Sequence, residues 1–180
     1  MSDDWHRLWQ ALESAVAEPR HPMRLGALGT SARTRPAVRT VVLRGVDRAA
    51  QCLTAYTDAR SGKVRDLQQN PAAEWMVYDA SRRWQLRLSG EGAVDTQGEA
   101  VDAAWSSLHT GQRREYALVS APGDPVAPSP EQMPEDAGRA HFALLRLTVQ
   151  QIDLLELGDD RHRRVRFRRL QGWTPERIAP

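Results

Sequence analysis

The chain has 180 residues, 41% of them hydrophobic, and a formal charge of +2, which suits one ordinary domain with its own core and is too little for two. No run approaches the roughly 20 apolar residues that a membrane-spanning helix needs, and Met1-Ser2-Asp3-Asp4-Trp5 lacks a basic-then-apolar leader, so a cytoplasmic protein is expected. Cys52 is the sole cysteine, which excludes an internal disulfide and a cysteine-built metal site.

In chain order, Trp5, Leu8, Trp9, Leu12 and Val16 recur at three- and four-residue steps behind Ser2-Asp3-Asp4, predicting an amphipathic helix over about 3–17 that stops before Pro19. The period then shortens. β-rich runs at about Met23–Thr30, Ala37–Val46, Gln51–Thr57, Ala73–Asp79 and Arg83–Val94 are separated by Gly, Pro, Asp and Asn signals. A helix with Val64 and Leu67 inward follows Ser61 and stops at Asn70-Pro71, and another spans Gly98–Leu108. Five prolines in Ser120–Gly138 predict an ordered surface loop, because proline removes donors and fixes φ. Strands are expected again over Ala143–Leu157, around Val165 and Phe167, and over Trp173–Ile178. Six to eight antiparallel strands with two or three peripheral helices suggest a closed or split barrel, mainly β and Greek-key-like, since closure removes exposed edges.

The most specific local feature is Arg39-Thr40-Val41-Val42-Leu43-Arg44, then Tyr56-Thr57-Asp58, then Ser61-Gly62-Lys63, in one strand-turn-strand-helix unit. Lys63 is the only lysine in the chain. A strand arginine and a Ser/Lys pair at a helix start can converge on one phosphate, adding charged donors and a hydroxyl to the free N–H groups of the helix. The bland alternative is that Ser61 only caps the helix and Lys63 is only solvated. His6, His21, His109, His141 and His162 lack zinc-type spacing, and neither a Gly-x-Ser-x-Gly elbow nor a Walker-type loop is present, so no metal site is expected.

These motifs, with Asn70-Pro71, Trp84-Gln85-Leu86-Arg87-Leu88-Ser89-Gly90 and the closing Glu176-Arg177-Ile178-Ala179-Pro180, occur in a fixed order. The chain thereby resembles the pyridoxamine 5′-phosphate oxidase-related flavoproteins over roughly residues 23–95 and 160–180. The resemblance implies an FMN-binding split barrel, a homodimer with cofactor sites at the interface, and an FMN-dependent oxidoreductase. It implies that Arg39 and Lys63 hold the flavin phosphate with Ser61 and Thr57 assisting beside Tyr56. Thr40, Val41, Val42 and Leu43 would lie along the ring with Arg44 at its end, Gln85 would reach it from the partner subunit, and Arg164 would approach it. Positive charge near the ring favours the anionic reduced flavin.

The departures from the family pattern bear on substrate. Gly62 stands where an arginine is usual, which implies weaker FMN binding, and Arg44 replaces a lysine. Trp105 and His109 fall where a substrate-phosphate Tyr and Arg would be, with Arg113, Arg114 and Tyr116 nearby, and the final Arg-x-His becomes Asp160-Arg161-His162. Leu154 or Leu155 takes the place of a cofactor-side tryptophan. Oxidation of pyridoxamine phosphate itself is therefore not expected. Two other readings remain: a non-catalytic split-barrel module binding FMN, haem or a deazaflavin, and a nucleic-acid strip along Asp160–Arg169, where arginines alternate with Val165 and Phe167. The family match to that run favours a barrel strand, with no nucleic-acid or membrane partner.

Overall fold

The computed structural model describes residues 2–32 and 35–180; Met1, which the reading of the N-terminus included, and Arg33 and Thr34 lie outside them. The first helix, α1 (Asp3–Ala17), starts where Ser2 Oγ accepts the Trp5 N–H at 3.3 Å, and Asp3 and Asp4 sit favourably at its positive end. Its buried face is Trp5, Leu8, Trp9, Ala11, Leu12 and Ala15, set by the periodicity.

Nine strands follow among the described residues: β1 (Leu25–Ala32), β2 (Arg35–Val42), β3 (Gly45–Asp47), β4 (Cys52–Asp58), β5 (Ala72–Asp79), β6 (Trp84–Asp95), β7 (Phe142–Glu156), β8 (Arg163–Arg168) and β9 (Glu176–Ile178). All their pairings are antiparallel. The path β2-β1-β5-β6-β7-β4-β3 has β8 and β9 branching from β7, and the order β4-β7-β6-β5 is a Greek key. β2 and β3 are the two ends of that path, yet only Leu43 and Arg44 separate them in sequence. The sheet must therefore curl until its ends are neighbours, which makes a split barrel and not a closed one. Helices α2 (Gly62–Gln69), α3 (Glu99–Ser106) and α4 (Thr110–Tyr116) lie outside it.

Several expected boundaries shift for identifiable reasons. Ala37–Val46 is two strands, because the Leu43 N–H turns to Arg24 O and the Arg44 N–H to Thr54 O. The first strand starts at Leu25 and not Met23, since Pro22–Arg24 is a 3-10 turn capped by His21. The last strand is only Glu176–Ile178; Gly172 and Trp173 take left-handed φ of 61° and 60°, which is incompatible with a strand. α4 was not anticipated, and Glu135–Ala140 forms a 3-10 helix that overlaps the end of the expected loop.

The main core fills the barrel and the space beneath α1, with Trp5, Trp9, Trp75 and Phe167 almost fully buried. Trp84 and Trp173 are buried in it. A second core sits outside, where Val101, Trp105 and Leu108 pack on Phe142 and Leu144 of β7, with Tyr56 and Tyr116 against it. Phe142 is its hub, its ring 5.1 Å from Tyr56, 5.1 Å from Tyr116 and 5.5 Å from Trp105.

Candidate functional site

The corner between β4 and α2 gathers the residues singled out from sequence. Tyr56 and Thr57 lie near the end of β4, and Ser61 stands at the start of α2 with extended backbone. Ser61 makes no side-chain capping bond. Its hydroxyl instead accepts Lys63 Nζ at 3.1 Å, and Thr57 Oγ1 accepts the same ammonium at 2.9 Å. Ser61 and Thr57 are 3% and 4% exposed, so the half-buried lysine is drawn toward them while it still lines the cavity described below. No carboxylate lies within ion-pairing distance of it among the described residues. Burial, and then the charge of Arg39, push its pKa below the usual lysine value.

Arg39 enters from β2, where it is directly opposite Leu28. Its guanidinium donates to Thr30 Oγ1 at 2.6 Å and to Ala37 O at 3.0 Å, and it meets Asp66 of α2 at 3.4 Å. Thr30 donates to Asp66 at 2.7 Å. Arg39 and Lys63 thus share this corner, Arg39 paired with Asp66 and Lys63 with no carboxylate among the described residues. A half-buried ammonium held by two neutral hydroxyls beside an arginine fits an anion, and a phosphate would satisfy the charge that no acid among the described residues pairs with.

A titration follows from this burial. Between the lowered folded value and the ordinary 10.5 of lysine, the unfolded chain holds a proton that the folded chain has lost, so stability rises with pH in that window. Flavin-free protein is expected to gain stability relative to Lys63→Met as the pH climbs toward 10.5, measured by denaturant melts of both. Parallel curves would show that the ammonium is not buried.

Along β2, Val41 and Leu43 point into the core at 7% and 0% exposure, so only their backbone faces outward; Thr40 and Val42 present side chains on the other face. Arg44 stacks over the Tyr56 ring at 5.3 Å. Gln85 and Arg164 are placed elsewhere. Both flank Leu155, Gln85 on β6 and Arg164 on β8, hence on one face of the sheet. Arg164 forms a bidentate pair with the buried Asp153, both contacts at 2.8 Å. No hydrogen bond or ion pair among the described residues links either residue to the Lys63 cluster.

Trp105 and His109 carry structural work. Trp105 is 8% exposed in the second core with Arg113 stacked on it at 5.5 Å, and His109 caps α4 in a reciprocal box with Gln112. Arg161 and His162 are exposed in the connection before β8, away from those two in the hydrogen-bond pattern of the described residues. The arginine strand has Val165 and Phe167 inward, while Arg163, Arg164, Arg166 and Arg168 each pair with a carboxylate. Cations already neutralised in this way are poor ligands for a nucleic-acid backbone.

Sequence reasoning missed the Asp58–Arg60 pair. Arg60 is fixed by both carboxylate oxygens of Asp58, at 3.0 and 2.7 Å, and reaches Leu118 O and Val119 O at 2.9 Å each. It thereby ties the proline-rich segment to the corner and walls a cavity of about 480 Å³ that Tyr56, Thr57 and Lys63 also line. The Asp-x-Arg spacing was the available signal, since Asp58 Oδ1 also accepts the Arg60 N–H at 2.8 Å in a local turn.

The sequence pattern of the pyridoxamine 5′-phosphate oxidase FMN-binding domain matches residues 3–96. The chain belongs to that family. A pyridoxine/pyridoxamine 5′-phosphate oxidase of Deinococcus deserti is 30% identical over 189 residues, 94% of this chain and 84% of the relative. One of Paraburkholderia phymatum is 33% identical over 111 residues, 62% of this chain, and there the chain spans about half (49%) of the relative's length. Among solved structures, a pyridoxamine 5′-phosphate oxidase-related, FMN-binding protein of Nostoc punctiforme superposes with a TM-score of 0.82 at 27% identity, covering 100% of this chain and 99% of that one. Members of this oxidase family share the split barrel described above, and no described helix here is long and apolar enough to cross a membrane.

Proposed function

We propose that this protein binds FMN, with its phosphate at the β4–α2 corner, and acts as an FMN-dependent oxidoreductase on a substrate other than pyridoxamine phosphate. The observation that carries the reading is the inward Lys63 ammonium, held by Thr57 and Ser61 beside Arg39 and lacking an acidic partner among the described residues. Family membership supports the choice of FMN over other phosphates. Arg39 and Lys63 would bind the phosphate with Ser61 and Thr57 assisting, and Thr40, Val42 and the backbone of Val41 and Leu43 would border the ring. Arg44, held on Tyr56, would bring positive charge to that ring. When bound, the flavin supplies hydride and electron transfer. The altered substrate residues support the departure from pyridoxamine phosphate, since Trp105 is committed to packing and His109 to capping.

Gln85 and Arg164 stand apart from the corner within one chain, so a role for them at the flavin would require a second copy, as in a homodimer. Such a dimer should elute near twice 20.2 kDa, and a flavin-loaded monomer would remove the partner role of both residues. The decisive experiment for the cofactor is the spectrum of the purified protein with mass analysis of what heat releases. Yellow protein yielding FMN supports the proposal; haem or a deazaflavin in its place, or colourless protein that takes up no added FMN, overturns it. Turnover of candidate amines and nicotinamide donors then separates an enzyme from a carrier.

A further inference from the structure

α2 begins with an unusual concentration of charge. Gly62, its first residue, offers no side chain. A Cβ placed there would lie 3.7 Å from Nη2 of Arg65, so the Arg65 guanidinium occupies the space beside the missing side chain. Arg65 reaches that point by running backwards along the helix, and its Nη1 donates to Arg60 O at 2.6 Å. This is an unfavourable place for an unaccompanied cation. The N-terminal end of a helix is its positive pole, and Arg39, Arg60 and Lys63 are already gathered there. Arg65 is exposed and has no carboxylate partner among the described residues, so no acid of this chain draws it back.

Arg60 and Arg39 pair with Asp58 and Asp66, whereas Lys63 and Arg65 have no carboxylate within ion-pairing distance among the described residues. A phosphate monoester, at about −1.5 to −2 near neutral pH, can accept from both.

We propose that Arg65 is a ligand of the cofactor phosphate, taking from the second turn of α2 the place that a side chain at position 62 would otherwise fill. The proposal rests on the phosphate-site reading above. It also reverses one expectation from sequence: Gly62 does not leave the site a cation short, because the arginine three residues later supplies it.

The test compares flavin-free wild type, Arg65→Ala, Gly62→Arg and the double variant Gly62→Arg/Arg65→Ala, each titrated with FMN and with riboflavin, which lacks the phosphate. Loss of one charge-assisted contact should weaken FMN binding of Arg65→Ala roughly tenfold or more and leave riboflavin binding unchanged. The double variant should recover most of that loss, a rescue that a merely structural role of Arg65 would not produce. FMN binding by Arg65→Ala equal to wild type, or an equal loss for riboflavin, overturns the proposal. A wild type that binds no FMN means instead that the flavin reading has failed. Inorganic phosphate then serves as the probe: thermal stabilisation of wild type but not of Arg65→Ala upholds the ligand role, and equal or absent stabilisation refutes it.

Discussion

Replacing Arg39 and Lys63 together by alanine is expected to abolish FMN retention. Each charge-assisted contact contributes about 1.5–3 kcal/mol, so losing two weakens binding by roughly 10²- to 10⁴-fold. The fold should survive the change. Thr30 and Asp66 remain hydrogen-bonded to each other at 2.7 Å without Arg39, and removing the half-buried Lys63 charge relieves part of a desolvation cost in the flavin-free state. The measurement is flavin-to-protein absorbance after gel filtration, with a thermal melt of the flavin-free double variant as control. Full FMN occupancy in a stably folded double variant would place the phosphate elsewhere.

Phe142→Ala should produce the largest loss of stability among single changes outside the barrel core. Its fully buried ring touches Tyr56, Trp105 and Tyr116, and truncating a buried phenylalanine to alanine costs about 3–5 kcal/mol. At roughly 2–4 °C per kcal/mol for a chain of this size, the melting temperature should fall by about 6–20 °C. Phe142→Leu, which keeps most of the volume, should cost much less. An effect on the alanine variant below 1 kcal/mol would mean that α3 and α4 are held by something other than this aromatic cluster. Because Tyr56 and Tyr116 also border the cavity beside Lys63, the alanine variant should in addition bind FMN less tightly than Phe142→Leu.

What the sequence made legible follows the range of each interaction. α1 was readable because its apolar spacing and its Ser2 cap are local, and the structure places it over Asp3–Ala17. Ser61 and Lys63 stood out only through their order behind Arg39 and Tyr56-Thr57, since a serine at a helix start is as often just a cap; that Ser61 forgoes its cap for the ammonium depends on the folded chain. Asp66 and Thr30, which steady Arg39, gave no signal: they lie 27 and 9 residues from it in sequence and meet it only through sheet pairing and the packing of α2. α4 escaped notice for a different reason. It is seven residues long, has no buried residue of its own and begins at a histidine cap, so neither periodicity nor a common capping residue marks it. Arg65 was passed over because an arginine on a solvated helix face looks ordinary until its side chain is seen doubling back.

The way α1 is fastened has a consequence for how the polypeptide is made. Asp4 holds Arg163 through two contacts of 2.7 Å, a partner 159 positions later, and Trp5 packs on Phe167 and Trp173. A ribosome delivers the helix long before Arg163, Phe167 and Trp173. Pro22–Arg24 and β3 meet the helix early, but through most of synthesis Trp5 lacks Phe167 and Trp173, and closing so long a loop delays the final step of folding. Nascent chains halted before Arg163 emerges should bind apolar dyes and holdase chaperones, and release them once the arginine strand is complete.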